Sequence, residues 1–352
     1  MPWNVGILGA GPGVSTLHLP VLGRLAELFR VVHIADAGSG RARRLGERCG
    51  ARWSEGESDL LADPAVEVVA VCSPPSEHAR QILAALASGK RTIFCEKPLA
   101  ASRPEADEVI SACRAAGAVL LVGTNHLFDA AWGRAKHHLV ALGDRVQAIS
   151  VTLALPPNDR YHGVVAEGGP FQAARRGRPD LDDPAVAAGI LRQLLTGLAI
   201  HDLPAVRDIA PGIDEVVYAR VAPPIGYLVG YRAGGVLVQL ALTMLPEGPD
   251  ALWRMSIATS HDRIEVNFPP AFVHAGSAAT RVRSVDGQWT EYRRDEEDGY
   301  VAEWRLLASL LEGAAPVEYD ELLADSHYAI DLADAVTAKF VKGCANESKS
   351  CV

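Results

Sequence analysis

The sequence has no apolar run approaching the roughly 18 residues of a membrane span. It also has no basic excess: 34 Lys and Arg stand against 43 Asp and Glu, a formal charge of −9. The first absence argues against a membrane partner. The second argues against nucleic acid, because phosphate neutralisation needs a clustered Lys/Arg face. The chain enters a strand-like segment, Val5-Gly6-Ile7-Leu8, without a basic flank, so no signal peptide is expected and the cytoplasm is the default location. No C-x-x-C pair occurs among the six cysteines. Cys49, Cys72, Cys95 and Cys113 lie far apart in apolar stretches, which reads as reduced core thiols rather than a disulfide or metal set. Cys344 and Cys351 fall in a polar tail around Asn346-Glu347-Ser348-Lys349-Ser350, residues 344–352, which is expected to be flexible.

A length of 352 residues exceeds the roughly 150 of one typical domain. Its first 125 residues alternate short apolar runs with stretches of helix length. Val5–Leu8, Val31–Ala35, Val66–Cys72, Thr92–Cys95 and Val119–Val122 lack polar alternation, the character of parallel strands covered on both faces. Glu77–Ser88 reads as a helix between them, and another starts at Ser102 with Pro104 and Glu105 in its first turn. Strand alternating with helix predicts an α/β domain with a doubly wound parallel sheet over residues 1–125.

Beyond residue 145 the texture changes. Val146–Leu155, Val216–Val221, Leu228–Arg232, Val236–Met244, Trp253–Thr259 and Ile264–Phe268 follow as strands, separated by turn material such as Pro-Glu-Gly-Pro. They predict a large, mainly antiparallel open sheet, with a helical insertion around Pro184–Ala210 and two helices in Val301–Val341. Residues 126–343 thus form a second, α+β domain for substrate binding and oligomerisation. The outer face of its sheet suggests a homodimer or homotetramer.

Gly9-Ala10-Gly11-Pro12-Gly13 directly follows the first strand and precedes a helix-capable segment. Glycines there let backbone N–H groups approach a pyrophosphate. The second strand ends in Asp36, placed to accept hydrogen bonds from an adenosine ribose and to repel a 2′-phosphate. Asp36 favours NAD over NADP, the alternative; Arg41, Arg43 and Arg44 close behind weaken that preference and otherwise read as a solvated helix face. The register is irregular, because Val14 stands at the usual third glycine or alanine position and Pro12 looks like an insertion of a single residue.

Cys72-Ser73-Pro74-Pro75-Ser76-Glu77-His78-Ala79, followed by Gly89-Lys90 and Cys95-Glu96-Lys97-Pro98-Leu99, resembles the Gfo/Idh/MocA oxidoreductases. The resemblance is sharp from Val5 to Ala100 and diffuse beyond. It implies a Rossmann domain, an NAD(P)-dependent dehydrogenase or reductase, and a small sugar-like, cyclitol-like or keto substrate. Ser73, Pro74, His78, Glu96 and Lys97 then join Gly9, Gly11, Gly13 and Asp36 at the cofactor. Lys97, at the carboxyl end of a parallel strand, would stabilise a developing alkoxide and hold the substrate; a surface salt bridge is the plain alternative.

Relatives of this kind carry an aspartate four residues before a histidine on a helix behind the nicotinamide. Leu198-Ala199-Ile200-His201-Asp202 resembles that segment, but Gly197 stands at the aspartate position, and Asp202 points elsewhere on an ideal helix. His201 has two readings: proton exchange with the substrate oxygen, aided by Lys97, or hydrogen bonding within its helix. Asn125 and His126 are candidate substrate contacts or loop caps, and Leu127 replaces a cation that such relatives often carry. Tyr161-His162 is placed in a loop that could cover the substrate. Arg175-Arg176-Gly177-Arg178 reads as a solvated loop or as an anion site. No metal cluster and no Ser/His/Asp set stands out, and His137-His138 reads as solvent-facing. Two alternatives remain: reduction of an imine or of a nucleotide-linked ketosugar, and a dinucleotide-binding sensor or assembly protein without turnover.

Overall fold

Apolar runs without alternation do become strands buried on both faces here. The computed structural model describes residues 1–143, 145–157, 161, 179–245, 250–270 and 272–350. It divides into two units, Met1–Asn125 with Tyr300–His327, and the described residues from His126 to Gly299 with those from Tyr328 on.

The first unit is built on six parallel strands: β1 (Trp3–Leu8), β2 (Phe29–Asp36), β3 (Arg52–Glu55), β4 (Val68–Val71), β5 (Thr92–Glu96) and β6 (Val119–Gly123). Their order is β3-β2-β1-β4-β5-β6. Between them run α1 (Leu19–Arg24), α2 (Arg41–Cys49), α3 (Ser58–Ala62), α4 (His78–Ala87) and α5 (Arg103–Ala115). One face packs Leu8, Val69, Val71, Ile93 and Leu120 against Ile82 and Ala85 of α4 and Val109 and Ile110 of α5. The chain reverses its lateral direction between β1 and β4, and their carboxyl ends form the ligand edge of such sheets. Strand β3 escapes the apolar-run criterion because Arg52, Trp53 and Glu55 are exposed at the sheet's border. Ser102 is the N-cap of α5, but its side chain makes no capping bond; Glu105 instead accepts from the Ala101 N–H at 2.9 Å.

The second unit carries eight strands: β7 (Val146–Leu155), β8 (Glu215–Val221), β9 (Ile225–Ala233), β10 (Val236–Met244), β11 (Leu252–Thr259), β12 (Arg263–Phe268), β13 (Ala279–Arg283) and β14 (Trp289–Tyr292). They are ordered β14-β13-β12-β11-β7-β10-β9-β8. Every pair is antiparallel except β7 with β10. Ile149, Val151, Leu153 and Leu155 of β7 face a helix-covered core, while Ala148, Ser150, Thr152 and Ala154 lie on the other face. Helices α6 (Asn125–Phe128), α7 (Ala130–Leu142), α8 (Pro184–Gly197) and α9 (Leu203–Ile209) precede most of this sheet in the chain.

Two later helices complete the chain: α10 (Gly299–Leu311) and α11 (Tyr319–Ser350). Helix α11 continues through Cys344 to Ser350. The segment holds no proline, and its Ala, Asn, Glu and Lys extend an existing helix at little cost. None of the five described cysteines is in a disulfide, and no helix among the described residues is long and apolar enough to cross a membrane.

Candidate active-site residues

The turn after β1 separates its three glycines by purpose. Gly9 has φ +109°, and a Cβ there would lie 2.4 Å from the Cys72 carbonyl oxygen, so only glycine lets β1 and β4 end side by side. Gly11 and Gly13 have nothing within 4 Å of a Cβ position. Their backbone borders open space, as a pyrophosphate requires. The segment after the glycines opens as a π-helical turn, Val14–His18. Ser15 and Thr16 hydroxyls donate to the Pro12 carbonyl at 3.1 and 2.6 Å and brace it.

Asp36 ends the neighbouring strand. Its carboxylate accepts from the Gly38 N–H at 2.9 Å, the Ala42 N–H at 3.2 Å and the Ser39 hydroxyl. Burial opposes its charge, but the bonds from Ser39, Ala42 and Gly38 outweigh it and hold the pKa below 3.8. Open glycine backbone and a fixed anion on the adjacent strand end fit a nicotinamide dinucleotide, whose pyrophosphate Gly11 and Gly13 would border and whose ribose Asp36 would hold.

At the ends of β4 and β5 the motif residues gather. Ser73 donates to Gln81 at 2.5 Å, and Pro74 is exposed at the rim. His78, expected at the cofactor, is buried, with one ring nitrogen 2.7 Å from the Pro98 carbonyl and the other 2.9 Å from that of Ser73. Both nitrogens serve the protein backbone, so His78 ties the loop after β4 to the turn after β5. Glu96 Oε1 lies 2.8 Å from His18 Nε2, and Oε2 accepts from the Lys97 backbone N–H at 3.2 Å. Burial, then Cys72 and Glu96, act on His18 with a net upward shift of its pKa. The Trp304 indole, a donor only, lies 3.3 Å from His18 Nδ1 and opposes a second proton, since two donors would then face each other. Burial holds Cys72 above its usual thiol range, leaving it without charge at neutral pH. The geometry therefore selects the Nε2–H tautomer donating to Glu96. Burial works against the Glu96 charge, but His18 and Lys97 win and its pKa falls. Lys97 itself is half-buried; desolvation lowers its pKa while Glu96 and Glu303 oppose the fall.

The second unit assembles its own polar cluster. Helix α8, capped by the Asp183 side chain on Ala185 N–H, stops at Gly197, and a single 3-10 turn, Ala199–His201, leads into α9. Gly197 and His201 are thus not successive turns of one α-helix. That break re-aims Asp202: its fully buried carboxylate pairs with His126 Nδ1 at 3.0 Å and accepts from Trp253 Nε1 at 2.7 Å. The His126 ring stacks on Phe268 with centroids 3.6 Å apart and lies 5.4 Å from the His201 ring. His201 meets the edge of Trp253 at 5.2 Å. Leu127 packs against the apolar core, and the Tyr161 hydroxyl donates to Asp250 at 2.7 Å and accepts from the Ala251 N–H. His162 and Arg175-Arg176-Gly177-Arg178 lie outside the described residues.

Two arrangements were not foreseen. His33 stands between Asp63 (3.0 Å) and Ser54 (3.1 Å), a Ser/His/Asp line among the described residues. Arg52 also bonds Asp63, at 2.8 Å, and Ser54 is only 6% exposed, so the line ties β2 and β3 to the loop after α3 and offers no substrate access. The other is the buried acid Glu303. Its signal was legible: Tyr300, Glu303, Trp304 and Leu307 share one helical stripe, and an acid there is out of place among apolar residues. His18 gave no such signal, since its partner is 78 positions away.

Residues 3–124 match the model of an oxidoreductase family with an NAD-binding Rossmann fold. The uncharacterized oxidoreductase YrbE of Bacillus subtilis is 34% identical over 125 residues, covering 35% of this chain and 36% of that protein. The chain thus matches just over a third of that relative's length. An inositol 2-dehydrogenase of Rubrobacter xylanophilus is 27% identical over 354 residues, 96% of this chain and 91% of its own. The crystal structure of KijD10, a 3-ketoreductase from Actinomadura kijaniata with NADP and TDP-benzene, superposes with a TM-score of 0.73 at 23% identity, covering 96% of this chain and 98% of its own. That last likeness concerns the fold. The family model, the glycine turn and the Glu96-Lys97-Pro98 strand end agree: over residues 3–124 this chain is similar to the Gfo/Idh/MocA oxidoreductases.

Proposed function

We propose that this chain is an NAD(P)-dependent dehydrogenase or reductase acting on a carbon–oxygen bond of a cyclitol-like or sugar-like small molecule. One observation carries the reading: Lys97 is half-buried at the carboxyl end of β5, directly after Glu96, which accepts the Lys97 backbone N–H and is braced by His18. A bound nicotinamide supplies or accepts the hydride. Lys97 holds the substrate oxygen and stabilises its developing negative charge, and desolvation strengthens that interaction. His201 exchanges the proton, without an aspartate at Gly197 to orient it. The inositol 2-dehydrogenase similarity over nearly the whole chain supports a cyclitol.

The fixed anion at Asp36 supports NAD over NADP, because a 2′-phosphate would meet like charge. Leu127, apolar where a cation is common, supports a second reading: a less hydroxylated keto or imine substrate, including a nucleotide-linked ketosugar. The five described cysteines, none of them in a disulfide, support a reducing, cytoplasmic location. The outward face of the mixed sheet, with Ala148, Ser150, Thr152, Ala154 and exposed Leu228, supports self-association as a homodimer or homotetramer.

The test is Lys97→Ala assayed on a panel of inositols, sugars, ketones and cyclic imines. NADH affinity by fluorescence should stay near that of the wild type while turnover falls by about 10²-fold or more. Undiminished turnover removes Lys97 from the mechanism. Tight cofactor binding with silence of the wild type across the panel favours a sensor.

A further inference from the structure

Helix α10 belongs, from Tyr300 on, to the first unit, far along the chain from Glu96. Trp304 sets its rotation. The indole stacks on Phe94 of β5, with centroids 4.5 Å apart and planes at 13°, and meets Phe29 edge-on at 5.2 Å. The preceding residue, Glu303, is then fully buried, and its Oε2 lies 3.6 Å from the Cβ position of Gly123. Gly123 is the register partner of Glu96 across β5 and β6. The carboxylate therefore sits over the ends of those two strands, where Lys97 begins the next turn. Glycine at 123 is required there, since a Cβ would meet Phe94 at 2.9 Å.

We propose that Glu303 is a positioning residue for Lys97, a carboxylate from the carboxyl-terminal segment that serves as the ammonium's counter-ion at the sheet edge. This rests on the reading of Lys97 as a catalytic residue. Among the described residues, Glu96 on β5 and Glu303 on α10 act on Lys97 with their charge. Behind Glu96 stand His18 in the π turn, Cys72 after β4 and His78 on α4. Glu96 already accepts from His18 with one oxygen and from the Lys97 backbone with the other. Its charge is shared with those donors, which leaves Glu303 a distinct part in holding the amine. Desolvation favours loss of the amine proton and both carboxylates oppose it, so removing the Glu303 charge lets the proton leave at lower pH.

Competitive acetylation of the full-length protein with acetic anhydride, read at Lys97 by mass spectrometry across a pH series, follows the amine without any substrate. In Glu303→Gln the Lys97 titration should move down by about one pH unit, making the amine roughly tenfold more reactive at neutral pH. Glu303→Asp keeps the charge and should return most of that shift, which a merely structural role would not do. A Lys97 titration identical to wild type in Glu303→Gln overturns the proposal. Should that variant fail to fold, Glu303→Asp carries the test: a Lys97 titration in folded Glu303→Asp displaced downward by about one pH unit, despite the retained charge, also overturns the proposal. Turnover of Lys97→Ala decides the underlying reading independently. If that variant remains active while the amine still follows Glu303, the catalytic reading falls and the counter-ion assignment stands.

Discussion

One substitution made at three neighbouring glycines should have opposite consequences. Alanine at Gly9 must adopt φ +109° and place its methyl 2.4 Å from the Cys72 oxygen and 2.8 Å from the Ser73 nitrogen. The left-handed backbone costs an L-residue about 1–2 kcal/mol. Forcing backbone apart in a packed region adds about 1–3 kcal/mol. Gly9→Ala should therefore lose roughly 2–5 kcal/mol, a large part of the 5–15 kcal/mol typical of a folded protein. Alanine at Gly11 or Gly13 meets nothing within 4 Å, and neither has left-handed φ. Those variants should match wild-type stability or gain up to about 1 kcal/mol through a stiffer unfolded chain. Their methyl groups, however, occupy the approach to the pyrophosphate, so NADH affinity should fall at least about tenfold, or 1.4 kcal/mol. Equilibrium urea unfolding and NADH fluorescence titration on the same three proteins separate the two effects. A Gly9→Ala midpoint equal to wild type, or unimpaired NADH binding by both other variants, would refute the assignment of the turn.

Asp202→Ala should destabilise the second unit by about 2–6 kcal/mol, because the Trp253 indole and the His126 imidazole each lose an acceptor worth about 1–3 kcal/mol when buried. A loss below about 1 kcal/mol in urea would mean that water replaces the carboxylate. Light scattering at micromolar concentration should give a dimer or tetramer, and Leu228→Arg on the outward sheet face should lower that mass; a monomeric wild type counts against the sheet face as an interface.

The alternation of strand and helix in the first 125 residues was legible because burial on both faces demands unbroken apolar runs. Strand β3 and strands β13 and β14 were not, since Arg52, Glu55, Arg281 and Glu291 belong to borders that water can reach. The parallel pairing of β7 with β10 was equally hidden, because both strands alternate as any half-buried strand does. At the candidate site, local spacing announced Gly9, Gly11, Gly13, Asp36 and Glu96-Lys97. It did not announce who braces them. Asp202 was discounted on ideal-helix geometry, and the 3-10 turn after Gly197 changed its direction.

By itself, the order of residues determined what acts within a few bonds: which runs could be strands, where glycine had to turn the chain, and where a lysine would end a strand. Only the tertiary structure decided the partners of buried charge, His18 with Glu96, Asp202 with His126 and Trp253, and Glu303 near Lys97. A charge removed from water is held by whatever polar group the fold brings against it, and distance along the chain places no limit on that choice.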